Sequence, residues 1–162
     1  MSKNFLMAFG IGIVCVAIAA LWVVHMQRGA YIDLPGKVLK VRTAPLDEAS
    51  AVAVIDFRVS NPADYPFVVR KVTVAMEDNA GAESEGQTVS EVDARQLFQV
   101  IPLLGQKFND TLLMRDSVPP HNSWDRMVAA RFEVPESKIE ARKRLVVRIE
   151  EVDGKVFDLS EK

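Results

Sequence analysis

The sequence is poor in the side chains that bind metals or form disulfides. It contains one cysteine, Cys15, and two histidines, His25 and His121, among 162 residues. A structural zinc site takes four Cys or His ligands, so we do not expect one here. A chain with a single cysteine also cannot be built around a disulfide framework. We therefore predict no metal site and no cofactor.

The usual motifs of nucleotide binding and of hydrolase catalysis are also absent from the sequence. There is no Gly-x-Gly-x-x-Gly, no P-loop and no Gly-x-Ser-x-Gly. Residues 29–162 hold 18 Lys and Arg, which is all 20 except Lys3 and Arg28, against 22 acidic residues, a net charge of −4. Since nucleic-acid-binding domains are typically basic, we do not expect nucleic acid as a partner. Because the nucleotide-binding motifs are absent, we do not expect a nucleotide either.

Two groups of side chains raise the question of catalysis. His121 lies close to Ser123 and Asp125, but residues this near along a chain rarely converge as a catalytic triad. The adjacent carboxylate pairs are interpreted as solvated surface, because acid/base catalysis needs carboxylates that converge in a cleft; these pairs are Asp47-Glu48 and Glu150-Glu151. We predict that the protein is not an enzyme. A cleft in which His121 faces a carboxylate would reopen that question.

One long apolar run stands near the N-terminus. Residues 5–24, FLMAFGIGIVCVAIAALWVV, contain no charged side chain. A helix of this length covers about 30 Å, the thickness of the hydrocarbon core of a bilayer. The sequence predicts a transmembrane helix over residues 5–24, between an N-terminal tail of residues 1–4 and a juxtamembrane tether of residues 25–36. A cleaved signal peptide is the alternative, because Ala17-Ile18-Ala19 resembles a cleavage site, although the run is long for one.

The predicted span carries two sets of candidate contact residues. Four small side chains share one helix face and are candidates for docking a partner membrane helix: Ala8, Gly12, Cys15 and Ala19. Three side chains at the end of the span are typical of a membrane interface: Trp22, His25 and Arg28. Lipidation of Cys15 is not expected, since the preceding Val14 is bulky.

The orientation predicted for this span places the tail in the cytoplasm. The C-terminal domain, residues 37–162, is then periplasmic or extracytoplasmic, anchored in the cytoplasmic (inner) membrane. In the reverse topology, the basic run Arg142-Lys143-Arg144 would face anionic lipid headgroups.

Alternating apolar and polar residues dominate the rest of the chain and indicate half-buried strands. In one strand Ile55, Phe57 and Val59 point inward, and Asp56, Arg58 and Ser60 point outward. In the first strand we expect Leu39 and Val41 inward and Lys40 and Arg42 outward. Seven strands are predicted, at residues 37–44, 55–60, 71–77, 111–115, 128–134, 145–150 and 156–159. This fold class is a mainly β, Ig-like or fibronectin-like antiparallel β-sandwich behind one N-terminal transmembrane helix.

Local motifs refine this prediction. A three-residue loop, residues 152–154, with Gly154 at positive φ pairs Ile149 with Phe157 and Val147 with Leu159. Ser90-Glu91-Val92-Asp93 resembles a capping box and begins a short helix that Pro102 ends. Residues 135–143 are a second short helix, and the polar residues 78–88 are expected to form a mobile loop.

The segment Phe57-Arg58-Val59-Ser60-Asn61-Pro62, followed by Pro66-Phe67-Val68-Val69 and a late Val118-Pro119-Pro120 turn, resembles the water-stress and late-embryogenesis-abundant β-sandwich domains. The sequence is also similar to small bacterial proteins that join one membrane span to such a module. The resemblance implies a fold and a binding or protective role, and no functional residue is carried over.

These observations lead to two hypotheses about function. The first is a non-catalytic, membrane-anchored β-sandwich that acts through protein–protein contact, as an accessory subunit or scaffold of a membrane complex. Its partners are the lipid bilayer and a membrane protein that docks on the transmembrane helix, and exposed strand edges are the second contact surface. The alternative is a membrane-tethered ligand-binding or stress-protective module that works alone, with a pocket between the sheets.

Overall fold

The computed structural model describes residues 12–18, 22 and 34–161. The chain divides into two units, residues 1–32 and residues 33–162. In the first unit the described residues are helical, and the side chains of residues 12–18 are exposed.

The expected fold class included an N-terminal transmembrane helix, and the structure corrects this part of the prediction. Among the described residues, no helix is long and apolar enough to cross a membrane. Of the predicted span, the structure describes residues 12–18, which are helical. The rest of the predicted span, apart from Trp22, lies outside the described residues.

The second unit is mainly β. Its strands are β1 (Gly36–Pro45), β2 (Ala51–Asn61), β3 (Phe67–Glu77), β4 (Glu83–Thr88), β5 (Ser117–Val118), β6 (Asn122–Phe132), β7 (Arg144–Glu151) and β8 (Val156–Ser160). Its helices are α1 (Glu91–Val100), a 3-10 turn (Pro102–Leu104) and α2 (Glu136–Glu140). The strands form one antiparallel eight-stranded sheet in the order β1-β2-β6-β4-β3-β7-β8, with β5 beside β3.

The predicted mainly β, antiparallel fold is confirmed, and β4 joins its two halves into one sheet. Its residues Glu83–Gly86 pair with β3, and its last two residues, Gln87 and Thr88, pair with β6. The sheet therefore curls as one structure. Its two outer strands approach each other at Gly36, where an added Cβ would lie 2.7 Å from Leu159 Cδ2. The strand at residues 83–88 also corrects the prediction of a mobile loop over residues 78–88.

Strand β2 is buried on both of its faces. Ile55, Phe57 and Val59 belong to the core, as predicted. On the other face Val52 and Val54 pack with Ala94 of α1 and with Leu104 of the 3-10 turn. Because this second face is covered, Asp56 is also buried, which corrects its predicted outward, solvated position.

Two local predictions are confirmed. The β7–β8 hairpin pairs Ile149 with Phe157 and Val147 with Leu159, with Gly154 at φ 85°. Helix α1 begins after Ser90, whose side chain accepts a hydrogen bond from the backbone N–H of Asp93.

Two strand predictions are wrong. Residues 111–115 form no strand, only a single parallel bridge from Thr111 to Met127. In β1 a register shift between Val38 and Lys40 moves Leu39 out of the core, and it is exposed. On the same strand Arg42 is buried instead of pointing to solvent.

Candidate functional site

The outer face of β1, β2 and β6 is covered by one stretch of chain, residues 91–110, which we call the covering segment. It comprises α1, the 3-10 turn and the loop that follows. Ala94 and Leu104 are its fully buried members, and Leu97, Phe98 and Ile101 pack around them against the sheet. The sheet therefore carries a second apolar cluster on the side away from its main core.

A buried ion pair fastens the covering segment to the sheet. Arg42 Nη2 lies 2.6 Å from Asp56 Oδ2, and both side chains are almost inaccessible to solvent. Arg42 Nη1 also donates to the backbone carbonyls of Leu104 and Gln106 at 2.6 and 2.7 Å. The second Asp56 oxygen accepts from Asn109 Nδ2 at 2.8 Å. One guanidinium and one carboxylate thus bind three positions of the covering segment.

Aromatic rings of the covering segment lie over the same guanidinium. The Arg42 Cζ atom is 4.9 Å from the ring centroid of Phe98 and 5.6 Å from that of Phe108. Contacts of this kind favour a cation by its attraction to the π-face. They shield the ion pair from water while leaving Phe108 itself exposed.

Glu91 fixes the first turn of α1 to the end of the covering segment. Its carboxylate lies 2.9 Å from Arg95 Nε and 3.1 Å from Lys107 Nζ, and it accepts from the backbone N–H of Thr111 at 3.2 Å. Burial raises the pKa of Glu91, but hydrogen bonds with Thr111, Arg95 and Lys107 outweigh it and lower the pKa to about 2. Glu91 therefore stays ionised down to strongly acidic pH.

A cavity of about 570 Å³ opens between α1 and the sheet, and we call it the α1 cleft. Apolar side chains from both sides form its floor, and the exposed Val100 lies at its rim; the floor residues are Leu46, Val52, Leu97 and Ile101. Asp93 and Arg131 are its charged lining residues, and the Arg131 guanidinium lies 3.8 Å from Asp47 Oδ2. Its volume is within the range of ligand pockets.

Large exposed apolar side chains are concentrated on and just after the covering segment. Val100, which lines the α1 cleft, is 77% exposed, and Leu103, in the 3-10 turn that follows α1, is 76% exposed. Others from the same stretch are Val92, Phe108, Leu113 and Met114. Apolar side chains gathered on one surface mark sites of interaction more often than scattered ones do.

The outer face of β4, β3, β7 and β8 has the opposite character. Arg148 lies 3.0 Å from Asp158 and 3.2 Å from Glu83, and Glu77 binds Lys143 and Arg144, each at 2.6 Å. Hydrogen bonds with Lys143 and Arg144 lower the pKa of Glu77. This half of the sheet therefore presents paired charged side chains, in contrast to the apolar side chains on the α1 side.

Few of the predicted contact residues of the N-terminal segment are described. Gly12 and Cys15 lie within helical residues 12–18 and are exposed, and Trp22 is also exposed. Four predicted positions lie outside the described residues: Ala8, Ala19, His25 and Arg28.

The structure does bring His121 to a carboxylate, although not to one of its sequence neighbours. His121 Nε2 is 2.8 Å from Asp64 Oδ1, and both side chains are well exposed. Ser123 instead bonds Ser60, with 2.7 Å between the two hydroxyl oxygens. The described cavities of the α1 side are lined by other residues, and among the described residues no cluster of His, Cys, Asp and Glu has the geometry of a metal site.

The prediction that Glu150 and Glu151 are both solvated is wrong for one of them. Glu151 is buried at the end of β7, and this burial raises its pKa, with the nearby Asp153 charge adding to the effect. Glu150 pairs with Arg70 at 3.3 Å.

Sequence reasoning placed Arg42 and Asp56 at outward positions, and it did not predict their buried ion pair or the α1 cleft. One signal was present, because Ala51–Ile55 is an unbroken apolar run, and such runs are typical of strands buried on both faces. A covering element over Asp56 follows from that pattern.

The residues that carry the resemblance described above meet in the structure. Asn61 is buried and donates through Nδ2 to the carbonyls of Tyr65 and Val118, while its Oδ1 accepts from the N–H of Ala63. One side chain therefore ties the Pro62–Pro66 turn to the Val118-Pro119 turn.

No protein-family model matches the chain, and comparison with curated proteins finds no match. Among solved structures, a β-sandwich protein from Clostridium difficile is 12% identical, with a TM-score of 0.41 over 80% of this chain and 85% of that one. A structural-genomics target is also 12% identical, with a TM-score of 0.35 over 82% and 81% of the two chains. Since both TM-scores lie below 0.5, neither structure informs the function of this chain.

Proposed function

We propose that the protein is non-catalytic and acts by binding another protein through the α1 cleft. The observation that carries the proposal is the exposed Val100 in the lining of the cleft, with the equally exposed Leu103 three residues further along the chain. Covering them removes apolar area from water, which contributes about 25 cal/mol per Å².

The chemistry of the α1 cleft selects the kind of partner. Its floor is apolar and accepts aliphatic side chains. Its charged lining residues are Asp93 and Arg131, and Arg131 lies 3.8 Å from Asp47 Oδ2, so these three side chains carry a net charge of −1. The occupant that complements this surface is a protein segment with aliphatic side chains flanked by Lys or Arg.

The experiment compares two double variants of the full-length protein. Val100→Lys/Leu103→Lys, the rim variant, changes Val100 in the cleft lining and the exposed Leu103 that follows it. Val152→Lys/Val156→Lys is the matched control, because its two valines are also half or more exposed and do not line the α1 cleft. All four positions are exposed, so we expect both variants to keep the thermal stability of the wild type.

Native sizing and mass spectrometry then measure what accompanies each tagged protein. We expect one defined protein to co-elute at fixed stoichiometry with the wild type and the control. The rim variant should lose it, with an affinity reduced by roughly tenfold or more. A wild-type protein that runs alone as a monomer, or a rim variant that keeps its partner, contradicts the proposal.

A second candidate function is the binding of a small apolar ligand in the same cleft. Its support is the cavity volume of about 570 Å³. This cavity lies beside α1, not between the two halves of the sheet, where the sequence-based alternative places its pocket. A monomer that is stabilised thermally by a small aliphatic ligand, and not when Val52 is replaced by a larger side chain, would favour this candidate.

A further inference from the structure

Strand β4 has an edge that is left open inside the sheet. Its first four residues, Glu83–Gly86, pair with β3 on one side. On the other side β6 pairs only with Gln87 and Thr88, so Glu83–Gly86 have no strand partner there among the described residues. An unpaired strand edge is a template for another extended chain. The open edge is about 13 Å long.

A cavity fills the space where β4 and the end of β6 separate. Its volume is about 350 Å³, and we call it the β4 notch. Ser84, Glu85 and Gln87 line it from β4, and residues 131–134 line it from the end of β6. Space is therefore present beside Ser84 and Glu85, whereas Gly86 is buried against the Phe132 ring.

The charge around the β4 notch is negative. Glu85 and Glu133 are carboxylates of its lining, and Glu133 has no ion-pair partner among residues 34–161. Glu85 is 3.9 Å from Lys71 Nζ, a long and exposed pair. Arg131 lies at the inner end and faces Asp47. A second copy of the same edge would bring like charges together, whereas Lys or Arg side chains complement it.

We propose that the β4 notch binds an extended, basic protein segment that adds as a strand to Glu83–Gly86. Backbone hydrogen bonds along the open edge hold the segment, and Glu85 and Glu133 select its Lys or Arg side chains. This inference rests on the proposed function, since it names a second feature of a protein partner. It concerns the open edge of β4, and the β4 notch adjoins the α1 cleft at Gln87 and Arg131.

The test uses the isotope-labelled full-length protein and a synthetic peptide. The probe is a capped peptide of alternating Lys and Val, about eight residues long, the length of an ordinary strand. One control peptide alternates Glu and Val. A second control is the Lys/Val peptide with every second backbone nitrogen methylated, which removes hydrogen-bond donors from one edge and keeps the charge.

We expect the Lys/Val peptide to bind and to shift the backbone amide signals of Glu83–Gly86. Glu133→Lys should weaken binding by roughly tenfold, and Glu140→Lys, an exposed acidic position on α2 with the same change in net charge, should leave it unchanged. Absence of binding, equal binding of the Glu/Val peptide, or equal binding of the methylated peptide each overturns the inference.

The outcome is separable from that of the proposed function. The Val100→Lys/Leu103→Lys variant should bind the probe as the wild type does, because neither residue lines the β4 notch. If the probe fails to bind while the rim variant still loses its co-eluting protein, the proposed function stands and the strand-addition inference falls.

Discussion

Removing the charge of Arg42 should destabilise the protein far more than removing the charge of an arginine in a surface ion pair with an equally short N···O distance. The proposed change is Arg42→Met, which keeps most of the aliphatic stem. It leaves the buried Asp56 carboxylate with Asn109 as its remaining side-chain hydrogen-bond donor among the described residues. Breaking a buried pair by removing one partner costs about 3–5 kcal/mol. The carbonyls of Leu104 and Gln106 also lose their donor, so the covering segment loosens.

The chain offers a matched control for this change. Arg58 binds Asp125 in a two-pronged pair with contacts of 2.6 and 2.7 Å, as short as the buried pair. The side chains of Arg58 and Asp125 are 48% and 37% exposed, however. Exposed pairs contribute about 0–1 kcal/mol, so Arg58→Met should be nearly neutral.

Urea unfolding followed by circular dichroism measures both losses. A double variant, Arg42→Met/Asp56→Leu, should recover part of the loss, because a well-packed apolar replacement of a buried pair is often close to neutral. The reasoning is refuted if Arg42→Met costs no more than Arg58→Met. It is refuted equally if the double variant is less stable than Arg42→Met alone.

Three further predictions concern stability. Gly86→Ala should cost about 1–3 kcal/mol in urea unfolding, since its Cβ would lie 2.7–2.9 Å from the buried Phe132 ring, and Phe132→Leu should restore part of this. Glu91 has a lowered pKa, so its contribution to the free energy of unfolding is present above pH 4.5 and is lost as the pH falls towards 2. Thermal unfolding measured at a series of pH values should show a loss of stability on the order of 3 kcal/mol over this range, and this pH dependence should be smaller in Glu91→Gln. Gly154→Ala should cost about 1–2 kcal/mol, because φ is 85° there; an unchanged midpoint would contradict the bulged turn.

Features that depend on neighbouring residues were predictable from the sequence. The β7–β8 hairpin follows from the position of Gly154 and from the four side chains that its register buries. The start of α1 follows from Ser90, three residues before the N–H that it caps. In both cases the determining contacts lie within about ten residues of each other along the chain.

Features that depend on distant contacts were not predictable. Arg42 occupies an outward position in β1, and it is buried because the covering segment lies over it. The carbonyl of Leu104 in that segment, 62 residues away along the chain, accepts its hydrogen bond. Residues 83–88 are polar and glycine-containing, and they form a strand because β3 and β6 pair with them on either side. Composition alone gives no indication of either neighbour.

The most direct test of the central claim is photo-crosslinking from the rim of the α1 cleft in the full-length protein. Val100→p-benzoylphenylalanine places a reactive ring at the cleft, and Val156→p-benzoylphenylalanine is the control on β8. We predict a single protein adduct of defined mass from position 100 and none from position 156. No adduct from position 100, or the same adduct from both positions, would contradict binding through the α1 cleft.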